Sequence, residues 1–499
     1  MPLQTLLSKY KFKSSDQKII RAAFEFAEKA HSGQKRKSGE PYINHPLKTA
    51  MNLASWGMQD SATLAAALLH DVPENTDRTL DEISKKFGEE ITFLVLGVTK
   101  LGRIKLRNQK DPAYLETLKR MVLAMAEDIR VVLIKLADRL HNMETIQFLP
   151  RDKQERIARE TLEIYSSLAA RLGMGEVRGK LEDLSFPIVY PRQYNKLVNL
   201  VRPKLENAQY YIPRAKNELK KILKLNGLEN MEISGRIKHL YSLYQKLQRP
   251  EYDNDLDKVY DIVALRVITD SVEDCYTVLG IIHKYFRPIR GRIKDYIAVP
   301  KPNGYKSLHT TVFGPEGKFI EIQIRTHDMQ EEAEFGIASH WAYTESGKPK
   351  SGRARHNARQ IEWVSQLRDW QKETHDNPEE YWDSLKIDFF KNRICVFTPK
   401  GDIKDLPEGS SPIDFAFAVH SDLGTHCGGS KINGKMSKLD TKLKNGDVVE
   451  IIRDKNPKIS RDWLDQTASS SARSKIKSWL KKNEENFISR WTPDFMKRK

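Results

Sequence analysis

Cysteine is nearly absent: Cys275, Cys395 and Cys427 are the only three in 499 residues. Their wide separation excludes a disulfide scaffold, leaves no zinc-ligand spacing, and agrees with a reducing compartment. Long apolar runs are missing as well, and no stretch approaches the roughly 20 residues that span a bilayer. The N-terminal MPLQTLLSKYKFKSSDQK lacks the apolar core and small-residue cleavage site of a secretory signal. A cytoplasmic protein with no membrane association is therefore expected. Acidic residues are the minority charge, 67 against 84 Lys and Arg, for a net +17. That balance points to polyanionic partners such as nucleotides or RNA and says nothing about fold. A chain this long cannot be served by one hydrophobic core, so three or more domains are expected.

What the sequence does carry is concentrated from Arg292 to Thr326, RIKDYIAVPKPNGYKSLHTTVFGPEGKFIEIQIRT. Strict alternation in FIEIQIRT puts Ile320, Ile322 and Ile324 on one strand face and Glu321, Gln323 and Arg325 on the other. Asn303-Gly304 reads as a tight turn between extended runs. Lys294, Lys301, Lys306, His309 and Arg325 are candidate anion contacts, Asp295 and Glu321 candidate metal ligands or bases, and Tyr305 a ring to stack on a base. The bland alternative is a half-solvated sheet with a charged outer face. Upstream, LDKVYDIVALRVI carries Asp261 at the mouth of an apolar strand, a common place to hold Mg²⁺ between phosphates. SGRIKHLYSLYQKL sets Arg236 and Lys238 before a helix bearing Ser242 and Lys246, where basic groups can grip a triphosphate.

Nearer the N-terminus, DQKIIRAAFEFAEKAH, SATLAAALLH and EDIRVVLIKLADRLHNMETI have helical periodicity. His45, the pair His70-Asp71, and Asp138 combine imidazoles and carboxylates into a mixed nitrogen/oxygen set suited to a divalent transition ion. Asp138, Asn142 and Thr145 stand at i, i+4 and i+7, on one helical face. One isolated histidine is more often structural; the His-Asp tandem plus a distant Asp reverses that expectation.

These motifs, in the order RKSGEPYINHP, HD, LADRLHNM, GRIKHLYS, YDIVALRV, KDYIAVPKPNGYKSLHT and EIQIRT, resemble the long RelA/SpoT homologues, the alarmone synthetase/hydrolases, from about residue 10 to 480. The resemblance implies an all-α HD hydrolase domain, a nucleotidyltransferase-like α/β synthetase domain, a β-grasp TGS domain and a short helical tail. It implies pyrophosphate transfer from ATP to the ribose 3′-hydroxyl of GDP or GTP, with Asp261 and Glu321 on Mg²⁺ and Glu321 helping to deprotonate the hydroxyl. Arg236 and Lys238 would hold ATP; Tyr305 would stack on guanine, with Lys301, Asn303 and His309 around the acceptor. In the hydrolase, His45, His70, Asp71 and Asp138 would hold Mn²⁺ to activate water against the 3′-pyrophosphate of (p)ppGpp. Arg36, Lys37, Ser38, Asn142 and Thr145 would contact the nucleotide there. Arg292-Ile293-Lys294-Asp295 resembles the RxKD form of bifunctional members.

One departure stands out. The family pattern has adjacent Glu-Asp after the HD pair; here it is Glu74-Asn75. An amide orients water but cannot act as a base, so slower hydrolysis is expected, with Glu74 left to orient water or shuttle a proton. The alternative is a retired hydrolase site that only binds alarmone, in a sensor of tRNA or ribosome.

The expected domain order is hydrolase 1–175, connector 176–200, synthetase 201–345, basic linker and helix 346–387, third domain 388–453 and basic tail 454–499. In the third domain, FFKNRICVFTPKGDIKDLP reads as a hairpin, SSPIDFAFAVH as a helix started by Ser-Pro, and KINGKM and LKNGDVVEII as Asn-Gly turns. By resemblance, His420 would help recognise a deacylated tRNA 3′ end; the chemistry of the residue alone favours a structural histidine at a helix terminus. The tail resembles only the start of the family's next helical region, so ribosome docking is expected to lack its usual parts.

Overall fold

The computed structural model describes residues 2–10, 12–102, 124, 127–229, 231–301, 303–339 and 393–491. The expected synthetase end at 340–347, the linker 346–387 with Trp363, Leu367 and Trp370, and the last residues of the tail lie outside them. The chain divides into two compact units, Met1–Gln371 and Lys372–Lys499.

The first part of unit one is helical. The Asp60 carboxylate accepts the Thr63 N–H at 2.7 Å and starts the helix Ser61–Leu69. SATLAAALL is apolar on every side, so this helix runs through the core with Thr63 to Leu69 all buried. Its C-terminal end delivers His70 into the interior. Asp128 caps the helix Ile129–Glu144, accepting the Arg130 N–H at 2.9 Å, and that helix carries Asp138. The helix Asn44–Ser55 packs against both and holds His45 in its first turn.

The connector helix Gly175–Val189 packs on this bundle and on the helices Leu240–Leu247 and His327–Phe335. The next helix, Pro191–Leu225, runs 35 residues through Pro203 and Pro213, so the expected boundary at residue 200 falls inside a single helix. Its second half, through Tyr211, Ala215, Leu219 and Leu223, covers a sheet.

That sheet has five strands: β1 Glu232–Ile237, β2 Val263–Thr269, β3 Lys294–Asp295, β4 Leu308–Phe313 and β5 Phe319–Thr326. Their order is β1-β2-β5-β4-β3, with β2 and β5 parallel and the other pairs antiparallel. Ile320, Ile322 and Ile324 lie under the helices with Val267, Val312 and Val278; each such burial contributes about 1.5–3 kcal/mol. The alternation read from FIEIQIRT holds. The half-solvated alternative does not: β5 is interior to the sheet, and Gln323 and Arg325 on the polar face are only 5% and 2% exposed. The Asn303-Gly304 turn forms, with Gly304 at φ +82° and Lys301 N–H bonded to the Tyr305 carbonyl at 3.1 Å. Its flanks differ from expectation, because β3 is two residues long and the described residues between Tyr296 and Ser307 are loop.

Unit two has a hairpin, β6 Arg393–Phe397 with β7 Ile403–Pro407, then the helix Pro412–Val419, then a sheet of β8 Cys427–Ile432, β9 Lys435–Ser437 and β10 Val449–Arg453 in the order β10-β8-β9. A parallel bridge, Phe397 to Val448, joins the two sheets. The Asn433-Gly434 turn has both residues at positive φ, as a two-residue hairpin requires. The folded core does not stop at Arg453. Trp463, Ala472 and Ile476 pack with Ile413 and Phe417, and fully buried Asp414 accepts the Ser411, Ala468 and Ser469 N–H groups at 2.8–3.1 Å. No helix among the described residues is long and apolar enough to cross a membrane.

Candidate active sites

The four ligand-type side chains of the helical domain converge. His45 Nε2 lies 3.4 Å from Asp71 Oδ2 and 3.2 Å from Asp138 Oδ1. His70 Nε2 lies 3.4 Å from Asp71 Oδ1 and 3.9 Å from Asp138 Oδ1. His70 Nδ1 donates to the Ala67 carbonyl at 2.7 Å, which leaves the lone pair on Nε2. That nitrogen is buried and has no hydrogen-bond partner. An orphaned acceptor facing three other ligand atoms suits a divalent metal. Burial pushes His45 down. Burial would raise Asp138, but Lys135 at 2.7 Å holds it well below the usual range. Neutral imidazole and ionised carboxylate are the ligating forms.

Tyr42 and His141, which the sequence reading missed, orient these ligands together with Asn142, which it placed on the nucleotide. The Tyr42 hydroxyl donates to Asp71 Oδ2, and Asn142 donates to Asp138 Oδ1. His45 Nδ1 lies 2.7 Å from His141 Nδ1, and Arg36 Nη1 reaches the same His141 nitrogen at 3.1 Å. A guanidinium only donates, so His141 Nδ1 is the acceptor and His45 Nδ1 carries the proton. Burial, then the neighbouring His45 and Arg36, bring His141 down to about 3, consistent with that role. Asn75 donates its amide to the Tyr42 hydroxyl at 3.0 Å.

Beside the ligands lies a cavity of about 660 Å³ lined by Arg36, Lys37, Ser38, Asn142 and Thr145, and also by Lys135, Arg139 and Arg156. This is small-molecule size, and its cations suit a polyanion. Lys135 and Arg139 sit on the Asp138 helix; their i−3 and i+1 spacing was the available signal.

The second constellation lies on the polar face of the sheet. Asp261, just before β2, has Lys238 Nζ 2.7 Å from Oδ2 and Lys246 Nζ 2.8 Å from Oδ1. Burial would raise its carboxyl; the two ammonium groups depress it below the ordinary range. Asp261 Oδ1 is buried and faces the Lys246 ammonium, so both oxygens of this carboxylate are turned to cations. On the neighbouring strand, burial would likewise raise Glu321, yet the bonds from His309 and Gln323 bring it to about 2. The two carboxylates sense each other's charge. Arg236 Nη1 and Arg325 Nη2 both donate to Gln323 Oε1, at 2.9 and 2.8 Å, and Tyr305 hydroxyl meets His309 Nε2 at 2.8 Å. Lys301 Nζ lies 4.7 and 4.8 Å from the Tyr296 and Tyr305 ring centres. Burial, then Lys294 and Lys238, lower it to about 8.

Some expected roles come out differently. Ser242 turns away from the sheet and donates to the buried Glu182 at 3.2 Å. Asp295 is committed to its own loop, accepting the Ile297 and Ala298 N–H groups and the Tyr276 hydroxyl at 2.8–2.9 Å. Asn303 and Lys294 are exposed at the rim. In unit two, His420 is exposed and caps the short helix Ser421–Thr425, its Nδ1 accepting the Asp422 N–H at 3.2 Å, the structural role its chemistry favoured.

A helical domain that gathers His45, His70 and Asp138, a mixed sheet bearing paired carboxylates and lysines, and a β-grasp unit define a multidomain protein with one metal-type ligand group and one cation-rich sheet face. Three family models match in register with these parts: HD domain over residues 23–175, the region found in RelA/SpoT proteins over 235–348, and TGS domain over 394–453. The chain is 45% identical over 493 residues to guanosine-3′,5′-bis(diphosphate) 3′-pyrophosphohydrolase of Aquifex aeolicus, covering 98% of this chain and 68% of that protein. It is 46% identical over 486 residues to a GTP pyrophosphokinase of Streptomyces coelicolor, covering 95% of this chain and 56% of that protein. It is 44% identical over 476 residues to the bifunctional (p)ppGpp synthase/hydrolase RelA of Mycobacterium tuberculosis, covering 94% and 61% respectively. The chain belongs to the RelA/SpoT family. It spans little more than half the length of several of these relatives.

Proposed function

We propose that this chain makes (p)ppGpp in the sheet site and removes its 3′-pyrophosphate in the HD site, as a cytoplasmic enzyme of the stringent response. The observation that carries synthesis is Asp261 and Glu321, both ionised at neutral pH, beside parallel strands, with Lys238 and Lys246 on one side and Tyr305 and His309 on the other. The 3′-oxygen of GDP or GTP attacks the β-phosphorus of ATP, the bond to the α-phosphate oxygen breaks, AMP leaves, and the hydroxyl proton passes to a base. Asp261 and Glu321 would hold Mg²⁺, which when bound offsets charge on the transferred group. Arg236, Lys238 and Lys246 hold the donor phosphates. Tyr305 takes the guanine, with Lys301, Asn303 and His309 about the acceptor. A carboxyl that ionises near 2 is a poor proton acceptor, so Glu321 serves the cation first.

In the HD site His45, His70, Asp71 and Asp138 would hold Mn²⁺, which when bound makes water more acidic. Arg36, Lys37, Ser38, Asn142 and Thr145 hold the alarmone. Water attacks the 3′-linked phosphorus, releasing pyrophosphate and the free 3′-hydroxyl; Glu74 and Asn75 orient it. One observation favours the alternative of a retired site: the Asn75 amide donates to Tyr42. Incubation with ATP, GDP and Mg²⁺, and separately with ppGpp and Mn²⁺, tests both activities. Absence of ppGpp in the first defeats the synthetase reading; alarmone that binds without turning over in the second establishes the retired site. Unit two, with His420, we assign to deacylated tRNA and, through it, to the ribosome.

A further inference from the structure

The helix Leu240–Leu247, which carries Lys246 and follows Lys238, has eight residues. A helix this short is marginal alone, so its direction is set by what holds it. His239 at its N-cap position makes no side-chain cap bond. The cap comes from the connector helix: Asp183 Oδ1 accepts the Tyr241 N–H at 3.1 Å, and Asp183 Oδ2 lies 2.7 Å from His239 Nδ1. One turn earlier, Gly179 leaves room for the imidazole. A Cβ there would overlap the His239 ring, closer than the 3.0 Å that real Cβ atoms keep. Between them Glu182, 2% exposed, accepts the Ser242 hydroxyl at 3.2 Å and Arg178 Nε at 2.7 Å. Phe186, one turn on and fully buried, packs its ring 5.3 and 5.1 Å from Tyr241 and Tyr244.

We propose that Asp183 and the bare surface of Gly179 are positioning elements of the synthetase: by seating His239 and capping Leu240–Leu247 they aim Lys238 and Lys246 at Asp261 and so set affinity for the donor triphosphate. This rests on the reading that those lysines hold ATP. Residues 179, 182, 183 and 186 share one face of the connector helix, and that face grips residues 239–244. The two ammonium groups enter from opposite ends of the gripped segment, at 2.7 and 2.8 Å from the two oxygens of one carboxylate. A small rotation of the segment therefore separates them. The acceptor side has a different support: Tyr305 is held by His309 and Arg325, none of which touches Asp183. Disturbing the seat should spoil donor binding and spare acceptor binding.

The test is full-length protein with ATP and GDP varied separately, plus titration with a non-hydrolysable ATP analogue and Mg²⁺. Asp183→Ala is expected to raise KM for ATP and weaken the analogue about five- to tenfold, the size of one lost helix cap, with KM for GDP within about twofold. Asp183→Asn keeps an acceptor for the Tyr241 N–H and should recover most of the loss. Gly179→Ala should reproduce the ATP defect with Asp183 intact. Equal loss for both substrates, a loss that follows a fall in melting temperature without favouring ATP, or analogue binding unchanged in Asp183→Ala would each overturn the proposal. Wild-type protein that binds no analogue would overturn the donor-site reading together with it.

Discussion

The Tyr42 hydroxyl donates to Asp71 Oδ2 at 2.8 Å while accepting the Asn75 amide at 3.0 Å. Its single proton is thereby fixed on a metal-ligand carboxylate. An aspartate at 75 cannot donate; it would accept from Tyr42 and compete with Asp71 for that proton. It would also restore an acid/base group beside the ligand set, and such groups contribute about 10²–10⁴-fold in rate. Asn75→Asp is expected to raise Mn²⁺-dependent pyrophosphate release from ppGpp by about tenfold or more, the competition with Asp71 limiting the gain. Wild-type turnover that exceeds the variant's would show that the amide serves the reaction as it stands. Asp138→Ala should abolish both Mn²⁺ binding, read by electron paramagnetic resonance, and hydrolysis.

Glu321 and Tyr305 separate chemistry from binding on the sheet. Glu321→Gln preserves the bond partners His309 and Gln323 but removes the charge that offsets a cation. Synthesis should be lost while the melting temperature stays within a few degrees; a folded variant with near-normal synthesis would disprove the assignment. Tyr305→Ala removes a stacking surface worth about 1–3 kcal/mol per base. KM for GDP should rise about tenfold or more, with KM for ATP little changed.

The strand parity of FIEIQIRT was legible because it follows from residue type at local spacing, and the grouping of His45, His70 and Asp138 because a His-Asp tandem with a distant Asp is a recognisable motif. The burial of Gln323 and Arg325 was not, since it depends on β5 pairing with β2 from 50 residues or more away. Tyr42 and His141 were missed for a related reason: they support ligands on other helices, which no local period reveals. Ser242 looked like a phosphate contact because its helix also carries Lys246, but the serine lies on the face turned to Glu182. Asp414 gave no signal at all, because the backbone it holds at Ala468 and Ser469 is far along the chain.

Unit two should bind deacylated tRNA with a strongly salt-dependent affinity, as phosphate contacts release counterions. His420→Ala should weaken that binding more than it lowers the melting temperature, even though the imidazole also caps a short helix. Removing the terminal CCA from the tRNA should have the same effect on wild-type protein. Equal affinity with and without CCA would reduce the interaction to charge attraction.

Lys301 gives the synthetase a pH signature. An exposed lysine ionises near 10.4, whereas burial, then Lys294 and Lys238, bring Lys301 to about 8. Below that pH the group is an ammonium, held against the Tyr296 and Tyr305 rings where the acceptor's phosphates and base are proposed to bind. As pH rises through 8 the proton is lost, and with it the attraction for a nucleoside diphosphate. The dependence of kcat/KM on pH reports the free enzyme, so kcat/KM for GDP should fall on the alkaline side with a midpoint near 8. Lys301→Arg keeps its charge throughout this range and should move that limb beyond pH 9, at some cost in absolute rate from the bulkier group. An alkaline limb unchanged in Lys301→Arg would assign it to another residue.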